Sequence, residues 1–206
     1  VTAQVEHLRP GQAALAGELL AASHHDYPAF RHLFPDPETR RRVLRPFMAA
    51  AARDAARLEH SVLARDAEGV LGVALWMPPG TFPLSWTRKA RMAPCLLQAM
   101  VAAGRAFPAF ARVGAALEAA HPAGRAWYLQ ALGVHPRAQR RGVGGQLMAG
   151  ALQLADAAGL PCHLHTSDPA NVDYYRRFGF EVSQPAIHVP GGGPDYLGMT
   201  RPPRTT

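Results

Sequence analysis

Lysine is nearly missing from this chain: Lys89 is the only one, so 21 of the 22 basic residues are arginine and guanidinium groups carry the formal net charge of +7. Guanidinium suits phosphate and would fit a polyanionic partner. A GC-rich coding sequence would also raise arginine together with alanine, glycine and proline, and about a fifth of the chain is alanine. The bulk of the arginines is therefore assigned to coding bias, and only clustered arginines are read functionally. They are not interleaved with aromatics in an RNA-binding pattern, so nucleic acid is not an expected partner. Cysteine is scarce as well. Cys95 and Cys162 cannot build a disulfide framework, which fits a cytoplasmic setting. Long apolar runs are lacking too. Met92 to Gly104 is broken by Pro94 and Gln98 and falls short of the ~18 residues that span a bilayer, and the start shows no basic, apolar, small-residue targeting pattern. Neither a membrane span nor a membrane partner is expected.

What remains is enough for a core: 206 residues, 48% hydrophobic and 18% charged. That excludes a largely disordered chain. The 19 glycines and 19 prolines are scattered, which excludes collagen and low-complexity linkers. One domain over residues 1–201 with a short frayed tail at 202–206 is expected.

Punctuation places the elements. Gln4 to Leu8 reads as a strand, and Gln12 to His25 as a helix stopped by Asp26, Tyr27 and Pro28. Glu38 to His60 is helical, with Val43, Leu44, Phe47, Met48 and Leu58 inward and Arg40, Arg41, Arg42, Arg45, Arg53 and Arg57 on a mostly solvated face. Ser61 to Asp66 and Val70 to Met77 are strands joined by a glycine-containing hairpin connection. From Ser85 to Ala120 the pattern is helical, with Pro94 and Pro108 expected in the first turns of successive helices. The stripe Leu96, Leu97, Met100, Val101, Phe107, Phe110, Val113 and Leu117 is assigned to core packing rather than to lipid. Trp127 to Val134 is a strand, Val143 to Ala158 a helix and Pro161 to Thr166 a strand. Asp168 and Pro169 then start a helix over Ala170 to Phe178 that Gly179 ends. Phe180 to Val189 and Asp195 to Arg201 close the chain as strands. Strands alternating with helices imply an α/β or α+β sheet with partial parallel pairing.

The most informative stretch runs from Leu132 through Gly133, Val134, Pro136, Arg137, Gln139, Arg140, Arg141, Gly142, Val143 and Gly144 to Gly145. It leaves a strand, turns, and opens a helix with three glycines in four residues. Glycines let backbone amides approach an anion, and a helix start offers unpaired N–H donors with partial positive charge. Arg137, Arg140 and Arg141 add formal charge, so a pyrophosphate is the expected guest. A Walker A loop is excluded because no Gly-Lys-Ser/Thr follows. A dinucleotide fingerprint fits poorly, since the glycine spacing is wrong and His165 and Thr166 end the next strand in place of an acidic residue.

The spacing of Gln139, Gly142 and Gly144 after Val134 and Pro136 resembles motif A of the GNAT acyltransferase superfamily. Asn171 to Phe180 resembles its motif B. Within the superfamily the chain is similar to the puromycin N-acetyltransferases over Asp26 to His32, Ala126 to Leu129, Thr166 to Phe180 and Met199 to Arg201. The resemblance implies a mixed, partly splayed β-sheet flanked by helices, with residues 84–120 as a helical insertion that helps build the acceptor pocket. It implies acetyl-CoA as co-substrate, held by Leu132, Gly133, Val134, Gln139, Arg140, Arg141, Gly142, Val143, Gly144, Gly145, Asn171 and Tyr175. It further implies a small-molecule primary amine as acceptor, with a protein, an aminoacyl-tRNA or mere acyl-CoA binding as alternatives, and it allows a homodimer.

Amide formation needs a neutral amine, a polarised carbonyl and a proton for the leaving thiolate. A main-chain N–H around Ala131 to Gly133 serves the carbonyl. Tyr175, with an ordinary pKa of about 10, can protonate a thiolate whose thiol ionises near about 8.5. His165 stands where the puromycin pattern has a glutamate, and an imidazole near about 6.5 is a competent general base, with water or Tyr27 as alternatives. His163 and His165 share a strand face, yet no third ligand is evident and no metal is assigned. Cys162 is expected to be a buried, inert thiol. Tyr27, Phe30 and Trp127 are the candidate acceptor-binding residues.

Overall fold

The computed structural model describes residues 3–189 and 191–204. Seven strands form one sheet in the order β1-β2-β3-β4-β5-β7-β6. The first three strands are β1 (Gln4–His7), β2 (Val62–Asp66) and β3 (Gly69–Met77), and β4 is Trp127–Val134. The others are β5 (Cys162–Thr166), β6 (Glu181–Ile187) and β7 (Tyr196–Arg201). All neighbours are antiparallel except β4 and β5. A parallel pair needs a crossover, and the helix α6 (Val143–Ala157) supplies it. The mixed, splayed sheet flanked by helices that the motifs implied is therefore the observed fold.

Central β3 is apolar along nearly its whole length because both of its faces are covered. Val73, Leu75 and Met77 point into one core with α1 (Ala13–Ser23) and α3 (Pro37–Ala56). Ala74 and Trp76 point into the other, with α6 and with Phe180 beyond α7 (Ala170–Arg176). Where α1 crosses α3 the backbones nearly touch, since a Cβ on Gly17 would lie 2.5 Å from the Ala49 Cα.

Four details differ from the sequence pattern. A short helix, α2 (Pro28–Leu33), follows directly on the stop at Tyr27, because Pro28 both ends one helix and suits the first turn of the next. Arg40 is buried rather than solvated: it donates to the Phe34 carbonyl at 2.6 Å and to Asp26 at 3.2 Å, pinning α2 against α3. Pro94 lies inside α4 (Trp86–Ala103), whereas Pro108 does sit in the first turn of α5 (Phe107–Ala119). An interior proline removes one helix hydrogen bond at a cost of about 3 kcal/mol. Met92, Ala99 and Ala103 on α4 are buried, and its Arg88 forms an ion pair with Asp54 of α3 at 2.5 Å. Finally, only part of the apolar stripe is core. Phe110 and Val113 are buried, while Leu97, Met100 and Val101 face solvent.

At the C-terminal end, Arg201 clamps Asp156 with two 2.7 Å bonds, and the Arg204 amide donates to the same carboxylate. The end of the proposed tail, residues 205–206, lies outside the described residues. Among the described residues no helix is long and apolar enough to cross a membrane.

Candidate active site

The site begins where the sheet fails. β4 and β5 pair only at Trp127 with Cys162, Tyr128 with His163 and Leu129 with Leu164. On its other side β4 stays bonded to β3 up to Val134, with a bulge at Gln130. Beyond Leu129 the two strands part, and the β5-facing backbone around Leu132, Gly133 and Val134 is released from the ladder. Gly133 is required by packing, because a Cβ there would come within 2.4 Å of Ser23 Oγ on α1.

The loop after β4 ends in a left-handed turn. Arg140 has φ +61° and Gly142, which caps α6, has φ +79°. The first intrahelical bond runs from the Gln146 amide to the Gly142 carbonyl at 3.1 Å. The amides of Val143, Gly144 and Gly145 therefore precede the helical ladder and point out of the helix start. Arg140 and Arg141 are exposed, and among the described residues neither has a carboxylate partner. Free amides beside two unpaired guanidiniums fit a pyrophosphate. Arg137 does not contribute as expected. It is bonded bidentately to Asp66 at 2.9 Å and to Glu68 at 3.0 Å, and so ties the loop to the β2–β3 hairpin. Gln139 donates to the Val134 carbonyl at 3.2 Å, which braces the turn.

The facing wall is α7. Asp168 accepts from the Ala170 amide at 3.0 Å, and Gly179 ends the helical turn at φ +90°. Asn171 donates to Thr166 Oγ1 at 3.4 Å. Tyr175 packs among the α6-side core residues. Burial, then the nearby Tyr27, Tyr174 and Tyr128, raise its pKa well above the ordinary phenol value, so its proton is held at neutral pH. Tyr174 is a residue the motif reading missed. A Cβ on Gly144 would fall 2.2 Å from its hydroxyl, and the Arg177 guanidinium lies 4.9 Å over its ring. Its position one before Tyr175 and three before Arg177 was the available signal.

On the opposite side of the gap His165 Nδ1 lies 3.1 Å from the Tyr128 hydroxyl, and His165 Nε2 lies 3.1 Å from His163 Nε2. Burial, then His121, lowers His165 to about 4. Burial, then His165 and His121, lowers His163 to about 3. Both imidazoles are neutral at pH 7, and His165 is a far weaker base than the ordinary value of about 6.5 implied. Cys162 is fully buried, with its thiol pushed up to about 12 by that burial.

Residues 98–182 match the family model described as an acetyltransferase (GNAT) domain. That stretch is therefore similar to an acetyltransferase domain of the GNAT kind. Solved structures extend the likeness of fold to the whole chain. A Corynebacterium glutamicum protein described as histone acetyltransferase HPA2 and related acetyltransferase aligns over 100% of this chain and 99% of its own, at 21% identity and TM-score 0.62. The Drosophila melanogaster polyamine N-acetyltransferase aligns over 97% and 99%, at 16% identity and TM-score 0.63. The PaiA N-acetyltransferase of Thermoplasma acidophilum, solved in complex with coenzyme A, aligns over 98% and 99%, at 11% identity and TM-score 0.57.

Around this site the candidate acceptor residues separate. The Tyr27 hydroxyl bonds Thr166 Oγ1 and accepts from the Ser167 amide at 3.0 Å, which brings it to the end of β5 beside Asn171. Phe30 is buried beneath it, 6.4 Å from the Phe110 ring. Trp127 does not join them. It faces the α6 side, buried edge-on against His60 with ring centroids 4.9 Å apart, and strand alternation gives the acceptor face to Tyr128 instead. Tyr128 stacks on Phe82 at 4.2 Å. Over this side the β6–β7 loop rests on the α2 and α5 helices, through Gly193 on His32 and Gly191 on Arg112.

Proposed function

We propose that the protein is an acetyl-CoA-dependent N-acetyltransferase that acetylates a primary amine on a small molecule. The observation that carries this reading is the parting of β4 and β5 after Leu129, with the free amides at the start of α6 and the exposed Arg140 and Arg141 following one strand and α7, which carries Tyr175, following the other. The amides of Val143, Gly144 and Gly145, with Arg140 and Arg141, would hold the pyrophosphate, and Asn171 with the free edge of β4 would hold the arm that follows. Acetyl-CoA supplies the acyl group as a thioester. A main-chain N–H of β4 around Ala131 to Gly133 polarises the carbonyl, and Tyr175 donates its proton to the departing sulfur.

The loop of β6–β7 strapped over α2 and α5 favours a compact acceptor over a macromolecular one. The Drosophila protein of the same fold forms N-acetylagmatine, an acetylated small amine. An acceptor bearing an aminoacyl group, puromycin among them, is the finer reading, and with it an antibiotic-modifying role in the cytoplasm. It is supported by the likeness of Asp26 to His32 and of Thr166 to Phe180, two segments that Tyr27 and Thr166 join. Two measurements in one plate test it: melting temperature with and without acetyl-CoA, and thiol release with agmatine, polyamines, arylalkylamines and puromycin. A ligand of the native state raises Tm by mass action. A rise with thiol release on one amine class is expected, and no rise at saturating acetyl-CoA would overturn the reading.

A further inference from the structure

Acylation of a protonated amine releases a proton, and the acceptor face holds an unbroken line of groups able to carry it. The Tyr128 hydroxyl lies 3.1 Å from His165 Nδ1, whose Nε2 lies 3.1 Å from His163 Nε2. His163 Nδ1 lies 2.9 Å from Thr200 Oγ1, and Thr200 Oγ1 lies 2.9 Å from Ser183 Oγ, which is exposed. The line passes from β4 to β5, runs along β5 from His165 to His163, and then crosses to β7 and β6, with His163 and Thr200 directly paired in the ladder. It starts beside the gap, since Tyr128 and His163 pair one step before Leu129 and Leu164, the last pair before β4 and β5 part.

We propose that Tyr128, His165, His163, Thr200 and Ser183 form a proton relay that conducts the amine's proton from the acyl-transfer gap through the sheet to solvent. The inference rests on the acetyltransferase reading above. Its polarity follows from Ser183, whose single hydroxyl proton is donated to the Gly198 carbonyl at 3.3 Å, so that Thr200 is the donor to Ser183 and His163 Nδ1 the donor to Thr200. Two neutral imidazoles facing through Nε2 need one N–H and one lone pair between them. With His165 as the Nε2–H tautomer, its Nδ1 accepts from Tyr128. His163 is then the Nδ1–H tautomer and donates to Thr200, and Thr200 donates to Ser183. When the substrate N–H bond breaks, the proton forms an O–H bond on Tyr128, and Tyr128 gives its own proton to His165 Nδ1. His165 passes the Nε2 proton to His163, His163 passes the Nδ1 proton to Thr200, and Thr200 passes its proton to Ser183, which releases one to water. No group ends with a net charge. Imidazoles pushed far below their ordinary pKa are poor resting places for a proton and serve here as conduits, with water as the sink.

The test combines spectroscopy with kinetics on the whole protein. Nitrogen-15 spectra of labelled histidines should show opposite neutral tautomers, Nε2–H on His165 and Nδ1–H on His163. Thr200→Val keeps the shape and removes the hydroxyl. It should lower kcat about tenfold, leave the KM for acetyl-CoA unchanged, and raise the solvent deuterium isotope effect on kcat. Thr200→Ser, which restores the hydroxyl, should recover both, and Ser183→Ala should lower kcat only a few-fold. The same tautomer on both histidines, or wild-type kcat and isotope effect in Thr200→Val, overturns the relay. If no amine is turned over although both tautomers are as stated, the acetyltransferase reading fails, and with it the relay's role in catalysis.

Discussion

On the α6 and α7 side of the sheet every group assigned to the cofactor comes from residues 132–175, one run of strand, loop, helix, strand and helix. On the α1 to α5 side the acceptor wall is assembled from distant parts: Tyr27 meets Thr166 from 139 positions away, and the β6–β7 loop closes on His32 and Arg112. In the proposed assignment the cofactor side would recognise through backbone amides at a helix start, which is a property of local geometry. The acceptor side would recognise through side chains that only long-range packing brings together.

Perturbing the two sides separately should break that contrast cleanly. The largest effect is expected from Tyr175→Phe, which removes the proposed general acid and should lower kcat by about a hundredfold or more while the acetyl-CoA-induced rise in Tm persists. A wild-type kcat would move the acid role elsewhere. Next comes Gly144→Ala on the cradle. The new methyl meets the Tyr174 hydroxyl and should weaken acetyl-CoA binding about tenfold, or about 1.4 kcal/mol, as measured by titration calorimetry. Unchanged affinity would mean that Tyr174 moves aside freely. On the acceptor side Tyr27→Phe removes the partner of Thr166 and of the Ser167 amide. It should lower kcat/KM for the amine several-fold and stability by about 1 kcal/mol, without altering acetyl-CoA affinity, and a changed affinity would merge the two sides.

The smallest effect is on acid stability. Guanidinium hydrogen bonds from Arg137 and Arg201 hold Asp66 and Asp156 each at about 2. A carboxyl lowered from its unfolded value of about 3.9 favours the fold above that pH and loses the contribution as pH falls through its folded value. Tm should drop between about pH 4 and about pH 2, and Arg137→Gln should flatten part of the drop. An equally steep curve in that variant would assign the loss to other groups.

Most elements could be read in advance because strands and helices here follow their periodicities and are closed by Pro and Gly. The exceptions have causes beyond the local pattern. Pro94 sits mid-helix because α4 packs against α3. Arg40 is buried because the Phe34 carbonyl and Asp26 offer partners that charge patterning does not register. Arg137 is diverted by Asp66 and Glu68 from a hairpin some seventy positions away. Trp127, expected beside Tyr27 and Phe30, lies on the opposite face because one step of strand register decides which face a side chain serves.

The order of strand, glycine-rich turn, helix, strand and helix was determined by the sequence alone, and with it the position of the free amides at the start of α6. A helix start exposes its own amides whatever surrounds it. Only the tertiary structure decided the partners and proton affinities of the polar groups. His163 and His165 are adjacent on a strand in any reading, but their low pKa values, their mutual bond and the line to Thr200 and Ser183 depend on burial and on which strand lies beside β5. Desolvation and cross-strand contact are properties of neighbours, and neighbours far apart in the chain are chosen by the fold.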